Sequence, residues 1–204
     1  MHNNVSSEFS LTERQGRALV MLARHAIAEQ LGVVAKAVDD ATGEQVAATL
    51  VDPDLQQQGA TFVTLTVHGR LRGCIGSLRA VESVVASVRN NAVNAAFGDP
   101  RFPPLAADEL ATVDVEVSIL SDPQPLAYTG GDDLAAKLRP HVDGVIISRG
   151  SACATFLPQV WEQLPHPHDF LNHLCLKAML PMDAWRSGTL EVQTYTVQHF
   201  REGQ

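Results

Sequence analysis

Six residues, Leu71-Arg72-Gly73-Cys74-Ile75-Gly76, hold the densest chemistry in the chain: a cysteine, an arginine two positions before it, and two glycines. A cysteine thiolate attacks carbonyls, disulfides or alkylating centres, and it needs a base or a positive field to form at neutral pH. In an extended strand Arg72 and Cys74 project to one face, so the guanidinium would favour the thiolate. His68, across a turn at His68-Gly69-Arg70, is the nearest base by sequence, and it reaches Cys74 only if the hairpin register allows. Glu116 and Ser118 share one face of a later strand, with Arg72 and Arg101 as natural partners for the carboxylate. Asp99 and Arg101 sit on a proline-locked loop, Asp99-Pro100-Arg101-Phe102-Pro103-Pro104-Leu105, suited to bracing helix against sheet or to gripping an anionic substrate. Gly73 and Gly76 are unusual inside a strand and mark close approach by another backbone or a ligand. The bland alternative for Cys74 is a small packed hydrophobe.

Several elements must position these groups. Val63, Leu65 and Val67 alternate with Thr64, Thr66 and His68, which predicts a half-buried strand before the turn. Val113 to Leu120 repeats the pattern, with Asp114, Glu116 and Ser118 on one side. Leu190 to Phe200 alternates again and is expected to rejoin the hairpin's sheet. A capping box at Ser10-Leu11-Thr12-Glu13 opens a helix that Gly32 stops. Val81, Val84, Val85, Val88, Ala92, Ala95 and Ala96 form a second helical stripe ending at Gly98, with Asn90, Asn91 and Asn94 on its outer face. From Val33 to Gly59 the pattern predicts a long connection with one short helix. Ser121 to Gly131 is rich in proline and glycine and reads as a boundary. Beyond it, helices are expected near Asp132–Leu138, Gln159–Gln163 and Asp169–Met179, and strands at Gly144–Ser148 and Ala152–Leu157. These crossovers suit antiparallel pairing and an α+β fold.

The 204 residues suffice for one large domain or two small ones. The net charge of −8 disfavours nucleic acid, and 5% aromatic content leaves little stacking surface for it. Five arginines against Glu82 and Asp99 make His68 to Phe102 a basic island within that acidic chain. No apolar run reaches the roughly 18 residues of a membrane span. Met1 to Glu8 lacks the features of a secretory leader, and three widely spaced cysteines (Cys74, Cys153, Cys175) fit a reducing, cytoplasmic setting. His166, His168, Asp169, His173 and Cys175 are too irregularly spaced across Pro167 to predict a metal site, and no nucleotide or hydrolase motif is present.

The stretches FVTLTVHGRLRGCIGSL, NAAFGDPRFPPL, VEVSIL, DGVIISRG, TFLPQVWEQLP and FLNHLCLKAMLP resemble, in this order, the AMMECR domain family, whose prokaryotic members are called AmmeMemoRadiSam system protein A. The resemblance runs from about residue 10 to residue 200. It implies two subdomains: a larger one with a five-stranded antiparallel sheet (1–122 and 188–204), and an inserted one with three strands (123–187). It also implies that the LRGCIG side chains point toward the cleft between them. The family's companions, a Memo-like protein and a radical S-adenosylmethionine enzyme, suggest a modification pathway.

The resulting expectation is an enzyme or substrate-handling component of a radical S-adenosylmethionine-linked system that binds a small molecule or protein in the cleft between the subdomains, with Cys74 at its centre and without a cofactor. Cys74, Arg72, Glu116 and His68 would carry the chemistry; Arg101, Gly73, Gly76, Ser118 and Asp99 would bind the ligand. The competing expectation is a non-catalytic protein-binding module using the same cleft.

Overall fold

The structure is a computed structural model that describes residues 10–33 and 40–203. The leader reading at Met1 to Glu8 and part of the 33–59 connection lie outside those residues. The strands are β1 (Ala60–Val67), β2 (Arg70–Gly76), β3 (Val113–Leu120), β4 (Gln124–Pro125), β5 (Gly144–Arg149), β6 (Ala152–Phe156), β7 (Glu191–Tyr195) and β8 (Val197–Arg201). The α-helices are α1 (Glu13–Gln30), α2 (Asp40–Leu50), α3 (Pro53–Gln56), α4 (Val84–Phe97), α5 (Gly131–Lys137) and α6 (Pro167–Lys177). The fold is α+β, and the chain divides into two compact units, 1–120 with 198–204 and 121–197.

The first unit is built on a four-stranded sheet in the order β2-β1-β3-β8. α1 and α4 pack on one face of it. Val63, Leu65, Val115, Val117 and Ile119 point into that layer and are buried, as the alternation requires. They meet Leu19, Ala23 and Ile27 of α1 and Val84, Val88, Ala92 and Ala95 of α4. Gly16 on α1 leaves room for the Phe200 ring from β8, since a Cβ there would sit 2.0 Å from it. The opposite face carries Thr64, Thr66, Asp114, Glu116 and Ser118.

Four details of this unit differ from the sequence reading. The capping box belongs to Thr12 and Gln15, whose side chains each hold the other's backbone amide, so the helix starts two residues later than Ser10 implies. The weakly patterned connection contains α2, eleven residues long, as well as α3. Asn91 is buried rather than outward, and its amide donates to the carbonyl and hydroxyl of Thr61. The last alternating run is broken: β7 pairs with β4 and β5, while β8 pairs with β3.

That break is local and has a cause. Ser121 and Thr196 lie side by side where the two connecting segments run, and each holds the other: the Ser121 amide donates to the Thr196 carbonyl, and the Thr196 amide donates to the Ser121 hydroxyl, both at 2.9 Å. Strand pairing therefore changes partners at Thr196, and among the described residues the sheets have four strands each instead of five and three. The return crossing falls at 197–198 rather than at 188.

The second unit has the sheet order β4-β7-β5-β6, all antiparallel. Its core is aromatic: Trp161 stacks on Phe170 at 3.7 Å, and both are fully buried with Trp185, Val145 and Ile147. Cys175 lies in this core and Cys153 is exposed.

Candidate functional site

The β1–β2 hairpin turns at His68 and Gly69, both with positive φ (51° and 74°), which is the geometry of a two-residue type I′ turn. Farther along, the register slips: Leu65 pairs with Gly73 and Thr66 with Leu71, so Arg72 is an extra residue. Such a bulge interrupts the two-residue period of side-chain direction. Alternation therefore no longer fixes the direction of Arg72 relative to Cys74, and the guanidinium is engaged by the proline segment. It forms a fork with Glu109 at 2.8 and 2.9 Å and donates to the Pro103 carbonyl at 3.0 Å. The Glu109 bond raises the Arg72 pKa against the opposing effect of burial, and the same bond holds Glu109 below the ordinary carboxylate range. Arg72 anchors the proline segment to β2.

Gly73 sits where α4 crosses the strand. A Cβ on it would lie 2.1 Å from the Ala95 carbonyl oxygen, a backbone atom. At Gly76 a Cβ would meet the Phe62 ring at 2.2 Å. The close approach that both glycines predict is made by the protein's own atoms.

β2 is an edge strand, so some of its backbone groups point away from the sheet. At Cys74 these groups are taken by two side chains. The Cys74 amide donates to Asp99 Oδ2 at 2.9 Å, and Arg101 Nη2 donates to the Cys74 carbonyl at 3.2 Å. Asp99 and Arg101 are joined by bonds of 2.9 and 2.6 Å, and the Arg101 amide adds a third to Asp99 at 3.1 Å. The Asp99 side chain is only 2% exposed. Its pKa is held far below the ordinary carboxylate value, first by the Arg101 side chain and then by the Cys74 and Arg101 amides, against burial.

Across the sheet, Thr64 pairs with Cys74 on one side and with Glu116 on the other. Cys74, Thr64 and Glu116 thus form one row on one face, with Cys74 and Glu116 two strand spacings apart, roughly 10 Å. The Thr64 hydroxyl donates to the Cys74 sulfur at 3.3 Å, and the thiol is half-buried. Glu116 is held neither by Arg72 nor by Arg101. Its partners come from β8: Arg201, through a short ion pair, and His199 Nδ1 at 3.2 Å. Burial pushes the Glu116 pKa up, but these two partners outweigh it and the net shift is downward.

Ser118 Oγ also reaches His199 Nδ1, at 3.0 Å. A hydrolytic triad needs the hydroxyl and the carboxylate on different ring nitrogens. Here both use Nδ1, so Ser118, His199 and Glu116 do not form one. His68 is exposed on the turn. Four residues of strand separate it from Thr64, roughly 13 Å, which removes it as a base for Cys74.

A cavity of about 410 Å³ opens on the same face, lined by Thr64, Thr66, Asp114, Glu116, Arg201 and Glu202 among others. Thr64 belongs both to this lining and to the Cys74 contact. Sequence reasoning placed Cys74 on the second hairpin strand and Glu116 on one side of a later strand, and it found the Asp99–Arg101 loop. It missed Thr64, Glu109, His199 and Arg201. Thr64 was visible as an outward position of β1; the other three depend on a bulge and on a strand pairing that no local pattern encodes. Among the described residues no helix is long and apolar enough to cross a membrane.

Comparison with known proteins gives a consistent result. The AMMECR1 family model matches residues 20–200. A protein of Methanothermobacter thermautotrophicus is 38% identical, aligned over 94% of this chain and 96% of its own length. One from Methanosarcina mazei is 37% identical over 94% of each. The crystal structure of "Uncharacterized Protein PH0010" from Pyrococcus horikoshii superposes with a TM-score of 0.77 at 31% identity, covering 95% of this chain and 94% of that one. The hairpin, the proline loop and the strands that carry Cys74, Asp99 and Glu116 all fall inside the matched span, and the chain belongs to the AMMECR1 family.

Proposed function

We propose that the chain is an enzyme or substrate-handling component of a radical S-adenosylmethionine-linked modification system, and that its ligand sits on the outer face of the first sheet beside Cys74. One observation carries the reading: Thr64 joins the thiol to a polar cavity of about 410 Å³ that is also lined by Glu116 and Arg201. A cavity of that size fits a metabolite or the side chain of a protein substrate. Its charged lining supplies both signs, which suits a polar ligand. Memo-like and radical S-adenosylmethionine proteins are the partners this reading anticipates.

Alkylation tests it. In a Cys153→Ser protein, which removes the exposed competing thiol, Cys74 is expected to react with iodoacetamide in the folded state while the buried Cys175 does not. Extract fractions that raise the melting temperature should slow that reaction, because a bound ligand stabilises the folded state. Fractions that raise the melting temperature and leave the Cys74 rate untouched would move the ligand elsewhere.

The second reading, a binding module in which Cys74 only packs, is favoured by the engagement of Arg72 with Glu109, which withdraws the expected activator. A Cys74→Ser chain that supports the pathway in cells with a normal melting temperature decides for this reading. Loss of the pathway with the fold intact decides for the first.

A further inference from the structure

We infer that Asp99 and Arg101 are positioning residues for Cys74, acting as a two-residue stand-in for a neighbouring strand. An added strand would offer an acceptor to the outward amide of β2 and a donor to its carbonyl. Asp99 Oδ2 and Arg101 Nη2 supply that pair at 2.9 and 3.2 Å. Both bonds involve a charged group, and the two side chains are locked together as a fork, so the backbone of Cys74 is held on both sides of its Cα.

Three surroundings make the clamp rigid. The Asp99 carboxylate is almost wholly buried. Arg72 ties the next stretch of the same loop, at Pro103, back to β2 through its own bond. Gly73, immediately before Cys74, is wedged beneath the Ala95 carbonyl. A residue fixed at both its backbone N–H and C=O, with its predecessor packed on a helix, aims its side chain in one direction. Here that direction is the row of Thr64.

The clamp also decides how a substrate arrives. With the β2 edge closed at Cys74, an extended peptide cannot add there as a further strand. The thiol is approached over the sheet face, past Thr64 and the cavity. The inference rests on the proposed site in this respect alone; the clamp itself is a statement about backbone groups.

Amide hydrogen exchange and alkylation together test it, in the Cys153→Ser chain. Arg101→Ala should speed exchange of the Cys74 amide at least tenfold and leave the amides of Val63, Leu65 and Val117 unchanged. The Cys74 iodoacetamide rate should change by a similar factor. Arg101→Lys keeps the charge but cannot reach Asp99 and the Cys74 carbonyl together, so it should behave like Arg101→Ala. Restoration of wild-type exchange by Arg101→Lys would mean that charge alone suffices and would overturn the inference. So would an unchanged Cys74 amide in Arg101→Ala, or an equal loss of protection across the whole sheet. A wild-type Cys74 that resists iodoacetamide until unfolding would instead defeat the proposed site, with the exchange result still deciding the clamp.

Discussion

Asp99 shows how much one carboxylate can do when its partners are local and its surroundings dry. It accepts from Arg101 twice through the side chain and once through the backbone, and from Cys74 once. A buried carboxylate without such partners would hold its proton; with them it stays ionised far below the usual range. The consequence for stability has a definite sign. A depressed folded pKa stabilises the folded state above the unfolded carboxylate value of about 3.9, and the contribution is lost as pH falls through the folded value. Asp99→Asn should therefore lower stability at pH 7 by about 2 kcal/mol in urea titrations. The gap to wild type should narrow steadily from about pH 4 downward. A gap that stays constant across that window would show that charge on Asp99 contributes nothing. The loop residues were legible in the sequence because Pro100, Pro103 and Pro104 announce a fixed backbone next to an acid and a base. Their target was not legible: which backbone groups a side chain reaches follows from the packing of the loop against β2, and nothing in the spelling of either segment states it.

At the scale of elements, small register decisions redirect whole side chains. Arg72 is an extra residue at a bulge and its guanidinium anchors the proline loop, and the break at Thr196 hands β7 to one sheet and β8 to the other. Alternation is readable within a strand, so β1 and β3 were predicted with the right inward and outward positions. An inserted residue and a change of partner are set by tertiary contacts, and the sequence pattern passes through them without a mark. Helix starts obey more local rules, yet α1 shows their limit. Two overlapping frames, Ser10 with Glu13 and Thr12 with Gln15, both satisfy the capping-box spacing, and the structure uses the second. Thr12→Ala should then cost about 1 kcal/mol. Ser10→Ala should change stability by no more than about 0.5 kcal/mol. Equal losses from the two substitutions would put the helix start back at Ser10.

At the scale of the whole molecule, the two units have separate cores of different character. The first is aliphatic, built on valine, leucine and alanine with Phe200; the second centres on Trp161, Phe170 and Trp185. Both tryptophans of the chain lie in the second unit. Intrinsic fluorescence therefore reports unfolding of residues 121–197 alone, whereas far-ultraviolet circular dichroism weighs α1 and α4 heavily. If the units unfold independently, the two probes should give midpoints in urea that differ beyond error, and a substitution in the first unit such as Thr12→Ala should move the dichroism midpoint only. Coincident curves that shift together would mean that the chain melts as one cooperative body.

The division also has a direction in time. Residues 121–197 are contiguous, so a growing chain can complete that unit in one pass. The first unit lacks its β8 edge until the insertion has been made, because Phe200, His199 and Arg201 follow the whole of it in the chain. Before β8 exists, the space beside Gly16 has no Phe200 to fill it and Glu116 has neither of its β8 partners. The cysteine-bearing unit is thus closed by a strand that follows the whole inserted segment in the chain.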